Sequence, residues 1–222
     1  MPDASPFLAV VLLDDAVLAD DLFVRGFGRM LAGSARRLVL VHGDGGTAGR
    51  ALEAAAVFDA SDTDRADGRA LAAFALNRRL AAQWSDAGAV VTGLSGEGRA
   101  ILRADDAGAL ALPGAALVRS LVAQGVIPLV AARAARADGA RVAADPVGAV
   151  AALAHALGGE AVAFLRAALP GGPAAAASAA SDEALAEAFR AAGQPVRLLR
   201  PEALLAPVPR AGEAAPGRIS AC

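Results

Sequence analysis

Short, continuous apolar runs alternate along this chain with longer alanine-rich stretches of helical period. That alternation constrains the fold more than any other feature. The runs are "PFLAVVLL", "RLVLVH", "AVVTGL", "VIPLVAA" and "EAVAFL". A strand with one wet face would alternate apolar and polar residues. These do not, so they read as strands covered on both faces, the signature of a parallel sheet. Between them lie helical segments over roughly 19 to 33, in "LVRSLVAQG", and in "RALAAFALNRRLAAQWSDAG", where Leu71, Phe74, Leu76, Leu80 and Trp84 keep an approximate helical stripe. "DPVGAVAALAHALGG" begins at an acid, has Pro146 at its first helical position and stops at glycines, which is good helix punctuation. The expected fold is α/β: a three-layer α/β/α sandwich with a mainly parallel central sheet, its strands near 7–13, 37–42, 89–92, 127–131 and 161–165.

The 222 residues suffice for one large core, and the chain reads as one domain over 1–222. A polar break, "DASDTDRADG", precedes the long helix. The low-complexity run "ALPGGPAAAASAAS", residues 168–181, reads as a linker or a shortened loop. A helix over 182–192, a strand "PVRLL" and a proline-spaced tail follow it.

Charge and composition exclude several classes. A formal charge of −2 argues against nucleic acid or an anionic membrane as a partner. No apolar run reaches the ~18 residues of a membrane span. The opening "MPDASPFLAVVLLDD" has no basic region before its apolar stretch and meets acids straight after it, so no signal peptide is expected. A single cysteine, Cys222, excludes internal disulfides and thiolate clusters, and cytoplasm is the expected compartment. All 21 basic residues are arginine. Any chemistry that needs a compact ammonium is therefore closed to this chain.

Two glycine-rich turns follow strands. In "LVLVHGDGGTAGRAL" a strand runs into a turn that opens a helix expected near Thr47–Ala56, an arrangement that suits an anion. The turn is not a P-loop, and "GDGGTAG" misses G-x-G-x-x-G because its last glycine, Gly49, falls one place late. The second, "GLSGEG", misses the serine nucleophile elbow because Glu97 stands where the final glycine belongs. His42 and His155 are isolated, so no metal site is expected. The pairs Asp14-Asp15, Asp20-Asp21 and Asp105-Asp106 read as turn and helix-start residues, and Arg78-Arg79 as a solvated helix face.

Taken in order, "RRLVLVHGDGG", "LNRRLAAQWSDAGAVVTGLSGEGRAILRA", "SLVAQGVIPLVAARAARADGARVAADPVGAVAALAHALGGEAVAFL" and "PGRISA" resemble the amino-acid kinase family, in particular its acetylglutamate-phosphorylating members. The resemblance covers most of residues 7–166. It implies ATP with Mg²⁺, transfer of a phosphoryl group to the side-chain carboxylate of N-acetyl-L-glutamate in arginine biosynthesis, and possible self-assembly. It places Gly43, Gly45 and Gly46 at phosphate, Gly93, Ser95, Gly96, Asn77 and Arg141 at the substrate, and Asp145 as the catalytic orienting acid.

The match is uneven. Asp44 intrudes into the first turn, Glu97 replaces the lysine of the second, and Leu12-Leu13-Asp14-Asp15 stands where Lys-x-Gly-Gly belongs. Asp59, Ala60 and Ser61 fall where a substrate arginine is expected, Arg141-Val142-Ala143 replaces Asn-x-Asn, and the second lysine falls near Asp182. The resemblance therefore implies a pseudokinase that keeps the fold and an amino-acid-type ligand but has degraded or lost phosphoryl transfer, with ATP and Mg²⁺ bound only if activity survives. The alternatives are a divergent active kinase with arginines in the lysine roles, or an unrelated small-molecule-binding α/β domain.

Overall fold

A computed structural model describes residues 8–46, 62–165 and 175–206. The helix expected over 47–56, the site expected near 59–61, the residues 166–174 and the terminal "PGRISA" lie outside the described residues.

The main sheet is built from β1 (Leu8–Leu13), β2 (Arg37–His42), β3 (Val91–Ser95), β6 (Ile127–Ala131), β9 (Glu160–Phe164) and β10 (Val196–Leu199). Its strand order is β10-β9-β1-β2-β6-β3 and every pairing is parallel. Alternate residues of each strand point to opposite faces, and both faces are covered. Ala9, Val11 and Leu13 meet one helical layer, which includes α2 (Asp21–Ala32) and α3 (Asp62–Asp86). Val10, Leu12, Val39 and Val41 meet the other, which includes α4 (Ala115–Ala123) and α5 (Pro146–Leu157). The fold is thus a three-layer α/β sandwich. Continuous burial on both faces is why the strands read as unbroken apolar runs.

The first layer is aromatic. Phe27 packs edge-on to Trp84 and Phe164, with ring centroids 5.8 and 5.4 Å away. The Trp84 indole N–H donates to the Val24 carbonyl across 2.9 Å. The rings close on each other because Gly28 leaves room: a methyl group there would overlap Trp84 Cδ1.

The acidic pairs punctuate the chain locally. Asp14 caps the one-turn α1 (Asp15–Leu18), Asp20 caps α2, and the Asp105 side chain accepts from the Ala109 N–H in a turn. Two expectations change. Part of the polar break is helical, since α3 starts at Asp62. The low-complexity run is helical from residue 175, where α6 (Ala175–Ala191) begins. Alanine explains the second change, because it is the best helix former and gives no sequence cue for where a helix starts.

A second, four-stranded sheet was not expected. Its order is β5-β4-β7-β8, from β4 (Arg103–Ala104), β5 (Leu110–Ala111), β7 (Arg133–Ala135) and β8 (Arg141–Ala143). Strands of two or three residues carry too little pattern to stand out from a loop. β7 and β8 form a hairpin whose turn holds Asp138 and Gly139. Gly139 has φ +85°, and the Asp138 carboxylate accepts from the Ala140 N–H. β7 begins two residues after β6 ends, so β6 carries the chain directly from the large sheet into the small one.

Candidate functional site

Parallel strands bring their C-terminal ends to one edge, where ligands of open α/β sheets gather. Here that edge carries both glycine turns, one after β2 and one after β3. The two strands are not neighbours, because β6 lies between them. As a result the turns line two adjoining cavities. The larger, of about 540 Å³, is lined by residues that include Leu71, Phe74, Asn77, Arg78, Gly93, Ser95, Glu97, Arg133 and Arg141. The smaller, of about 320 Å³, includes Gly43, Asp44, Gly46, Arg69, Arg133 and Pro146. Arg133 lines both.

The register of β3 and β6 explains the ion pair between the cavities. Ser95 is in register with Ala131, and two residues further along each chain stand Glu97 and Arg133. Arg133 Nε donates to Glu97 Oε2 across 2.6 Å, with the two side chains only 8% and 16% exposed. Arg141, delivered by the hairpin, brings a guanidinium nitrogen to 3.8 Å from Glu97 Oε1 while remaining 73% exposed. Gly96 cannot carry a side chain, since a methyl group there would overlap the Arg133 carbonyl. Its N–H donates to the Ala131 carbonyl across 3.0 Å, and its own carbonyl accepts from the Leu102 N–H across 2.6 Å.

Beneath this wall lies a neutral buried pair. His42 Nδ1–H donates to the Gly43 carbonyl across 2.6 Å, and Nε2 accepts from Asn77 Nδ2 across 2.9 Å. Burial pushes the imidazole down to about 4, against smaller opposing effects from the Gly43 hydrogen bond and the Asp44 charge. Asn77 also donates to the Leu129 carbonyl across 2.9 Å, which ties α3 to β6. Its Oδ1 lies so close to Gly93 that a methyl group there would overlap it.

The expected site residues therefore separate. Gly93, Ser95, Asn77 and Arg141 line the larger cavity, with Gly96 behind its wall, and Gly43 and Gly46 line the smaller. Gly45 and Gly46 have φ of +70° and +63°, and the Gly46 N–H donates to Asp44 Oδ1 at 3.1 Å. Asp44 thereby occupies an amide that an anion would need. Asp145 is the N-cap of α5, its Oδ2 accepting from the Gly148 N–H across 2.8 Å. That bond is the ordinary work of an aspartate before Pro at the first helical position.

Arg133 and the wall formed by Leu71 and Phe74 had no functional reading in the sequence. The heptapeptide around Arg133 has no motif, and only strand register reveals it. Leu71 and Phe74 belong to the helical stripe, yet they are 68% and 55% exposed, while Leu76, Leu80 and Trp84 are buried. Arg78 has its guanidinium 5.8 Å from the centroid of the Phe74 ring. Among the described residues no group of His, Cys, Asp and Glu could hold a metal ion, and no helix is long and apolar enough to cross a membrane.

No protein-family model matches the chain, and no curated protein matches it. Solved structures of similar fold do. N-acetylglutamate synthase from Neisseria gonorrhoeae, complexed with coenzyme A and N-acetylglutamate, aligns with a TM-score of 0.62 at 19% identity, covering 89% of this chain and 55% of the synthase. The same synthase with coenzyme A and L-arginine gives 0.60 at 20% identity, covering 88% and 56%. The protein smu.665 from Streptococcus mutans gives 0.62 at 15% identity, covering 86% and 94%. The chain spans little more than half the length of the synthase chains, and at these identities the likeness is one of fold.

These neighbours correct the amino-acid-kinase expectation, active or degraded. Both synthase structures were solved with coenzyme A. Phosphoryl transfer to N-acetylglutamate, the pseudokinase description and the ATP with Mg²⁺ cofactor are therefore set aside. The local chemistry agrees. Asp44 fills the glycine turn, Glu97 is committed to Arg133, Asp145 is committed to a helix end, and the chain has no lysine to shield a transferring phosphoryl group.

Proposed function

We propose that the larger cavity binds an acidic N-acylated amino acid of the N-acetylglutamate class, and that this recognition is the function of the chain. The observation that carries the reading is the cavity's charge. Among the described residues that line it, three arginines, Arg78, Arg133 and Arg141, face one acid, Glu97, a net charge of +2 in a space of about 540 Å³. A dicarboxylate balances that charge. Its carboxylates fit Arg78 and Arg141, which come from different elements, and guanidinium forks are well suited to carboxylates. Leu71, Phe74 and Ala81 supply apolar surface for an acyl methyl group. N-acetylglutamate accompanies one of the synthase structures of similar fold, which supports the same class. L-arginine accompanies the other. A cationic side chain fits this lining less well, because Glu97 is already paired with Arg133.

Titration calorimetry with N-acetyl-L-glutamate, L-arginine and coenzyme A, each alone, tests the reading. Saturable binding of N-acetylglutamate is expected, weakened about tenfold or more in Arg78→Ala and in Arg141→Ala. Binding of L-arginine with no response to N-acetylglutamate would overturn it. Binding of coenzyme A would move the function from recognition towards acyl transfer.

A further inference from the structure

We propose that Glu97 is a specificity-determining residue that accepts a hydrogen bond from the amide N–H of the bound N-acylamino acid, so that the cavity selects the acylated amine itself. This rests on the reading of the larger cavity as an N-acylamino-acid site. Glu97 lines that cavity, and its two carboxylate oxygens have different fates. Oε2 accepts from Arg133 Nε across 2.6 Å. Oε1 has no hydrogen bond among the described residues, and a guanidinium nitrogen of Arg141 stands 3.8 Å from it. A carboxylate oxygen so placed accepts a donor and repels a second carboxylate or an ester oxygen.

The surrounding charge decides which donor fits. Among the described residues two arginines flank the one carboxylate, so the corner keeps a net positive charge and disfavours a free ammonium. A neutral N–H is the donor that satisfies Oε1 without that penalty. The acceptor is also held in place before any ligand arrives. Gly96 is pinned on both its N–H and its carbonyl, and Ile101 and Leu102 are fully buried. Between them, Arg99 and Ala100 take φ of +51° and +52°, a conformation that non-glycine residues adopt only where surrounding packing over-determines it. A rigidly mounted acceptor discriminates well, because a ligand lacking the donor leaves it unsatisfied.

The test compares N-acetyl-L-glutamate with 2-acetoxyglutarate, in which an ester oxygen replaces the N–H with little change of shape. Calorimetry on the wild-type protein is expected to show the ester binding at least tenfold more weakly. In Glu97→Gln, the amide oxygen can keep the Arg133 bond and turn its NH₂ to the cavity, so the ratio is expected to fall to about one or to invert. A cooperative thermal melt of this variant verifies its fold. Equal binding of both compounds to the wild type would overturn the role of Glu97 alone, as would discrimination that survives in Glu97→Gln. Binding of neither compound to the wild type would overturn the cavity reading and this proposal with it.

Discussion

Asn77 donates from Nδ2 to Nε2 of His42 across 2.9 Å, which fixes the tautomer of a fully buried imidazole. With Nδ1–H given to the Gly43 carbonyl, the ring is satisfied only when neutral. A protonated ring would turn Nε2 into a donor facing the Asn77 NH₂, and a charge would stand in the core.

Stability should therefore fall in acid through this residue. The ring titrates near 4 in the folded protein, below its ordinary value of 6.5. The unfolded chain takes up the proton first, so the stabilisation is present above pH 6.5 and is lost as pH falls from there to about 4. The full loss is about 3 kcal/mol. Urea denaturation of wild type and His42→Asn across that window should show a steeper fall for the wild type. Parallel curves would refute the assignment.

Gly28→Ala and Gly26→Ala lie on the same helix and should behave oppositely. A methyl group at Gly28 overlaps Trp84 Cδ1, whereas one at Gly26 meets nothing within 4 Å. Overpacking of this kind costs about 1–3 kcal/mol. The Gly26 substitution should be neutral or stabilising by up to about 1 kcal/mol through helix propensity. Thermal melts of the two variants give the comparison, and equal melting temperatures would count against the Gly28–Trp84 contact.

Asp145→Ala should cost about 1 kcal/mol of stability, the usual effect of removing an N-cap. Asp145→Ser should restore most of it, because a hydroxyl can also accept from the Gly148 N–H. A loss that serine does not rescue, seen in chemical denaturation, would show that the carboxylate acts beyond the cap.

Gly93→Ala should abolish N-acetylglutamate binding by forcing Asn77 away from the strand. The displaced amide also loosens its hold on His42 and Leu129, so the melting temperature should fall along with affinity. Calorimetry and a thermal melt on the same sample decide it. Unchanged binding would remove Gly93 and Asn77 from the site.

Much of this protein was legible in its sequence where the information is local. The strand at 127–131 and that at 37–42 stand where their apolar runs place them. The α5 helix starts at the Asp145–Pro146 signal and ends at Gly158, whose φ of +67° is the left-handed conformation expected there. Two-sided burial of the sheet followed from unbroken apolar runs, because a strand with a wet face must alternate. Runs of two or three residues hold no such period, so the small sheet that carries Arg133 and Arg141 was invisible.

Only the tertiary structure decided how the site is divided. Nothing in the spacing of "RLVLVH", "AVVTGL" and "VIPLVAA" states that the third pairs between the first two, yet that insertion separates the glycine turns into two cavities. The Glu97–Arg133 ion pair has the same origin. The two residues are 36 positions apart and meet because Ser95 and Ala131 share a register. Local pattern reports which face of an element avoids water, since burial repeats with the period of the element itself. Strand order and register depend on which distant surfaces pack best together, and short stretches of sequence carry no record of that choice.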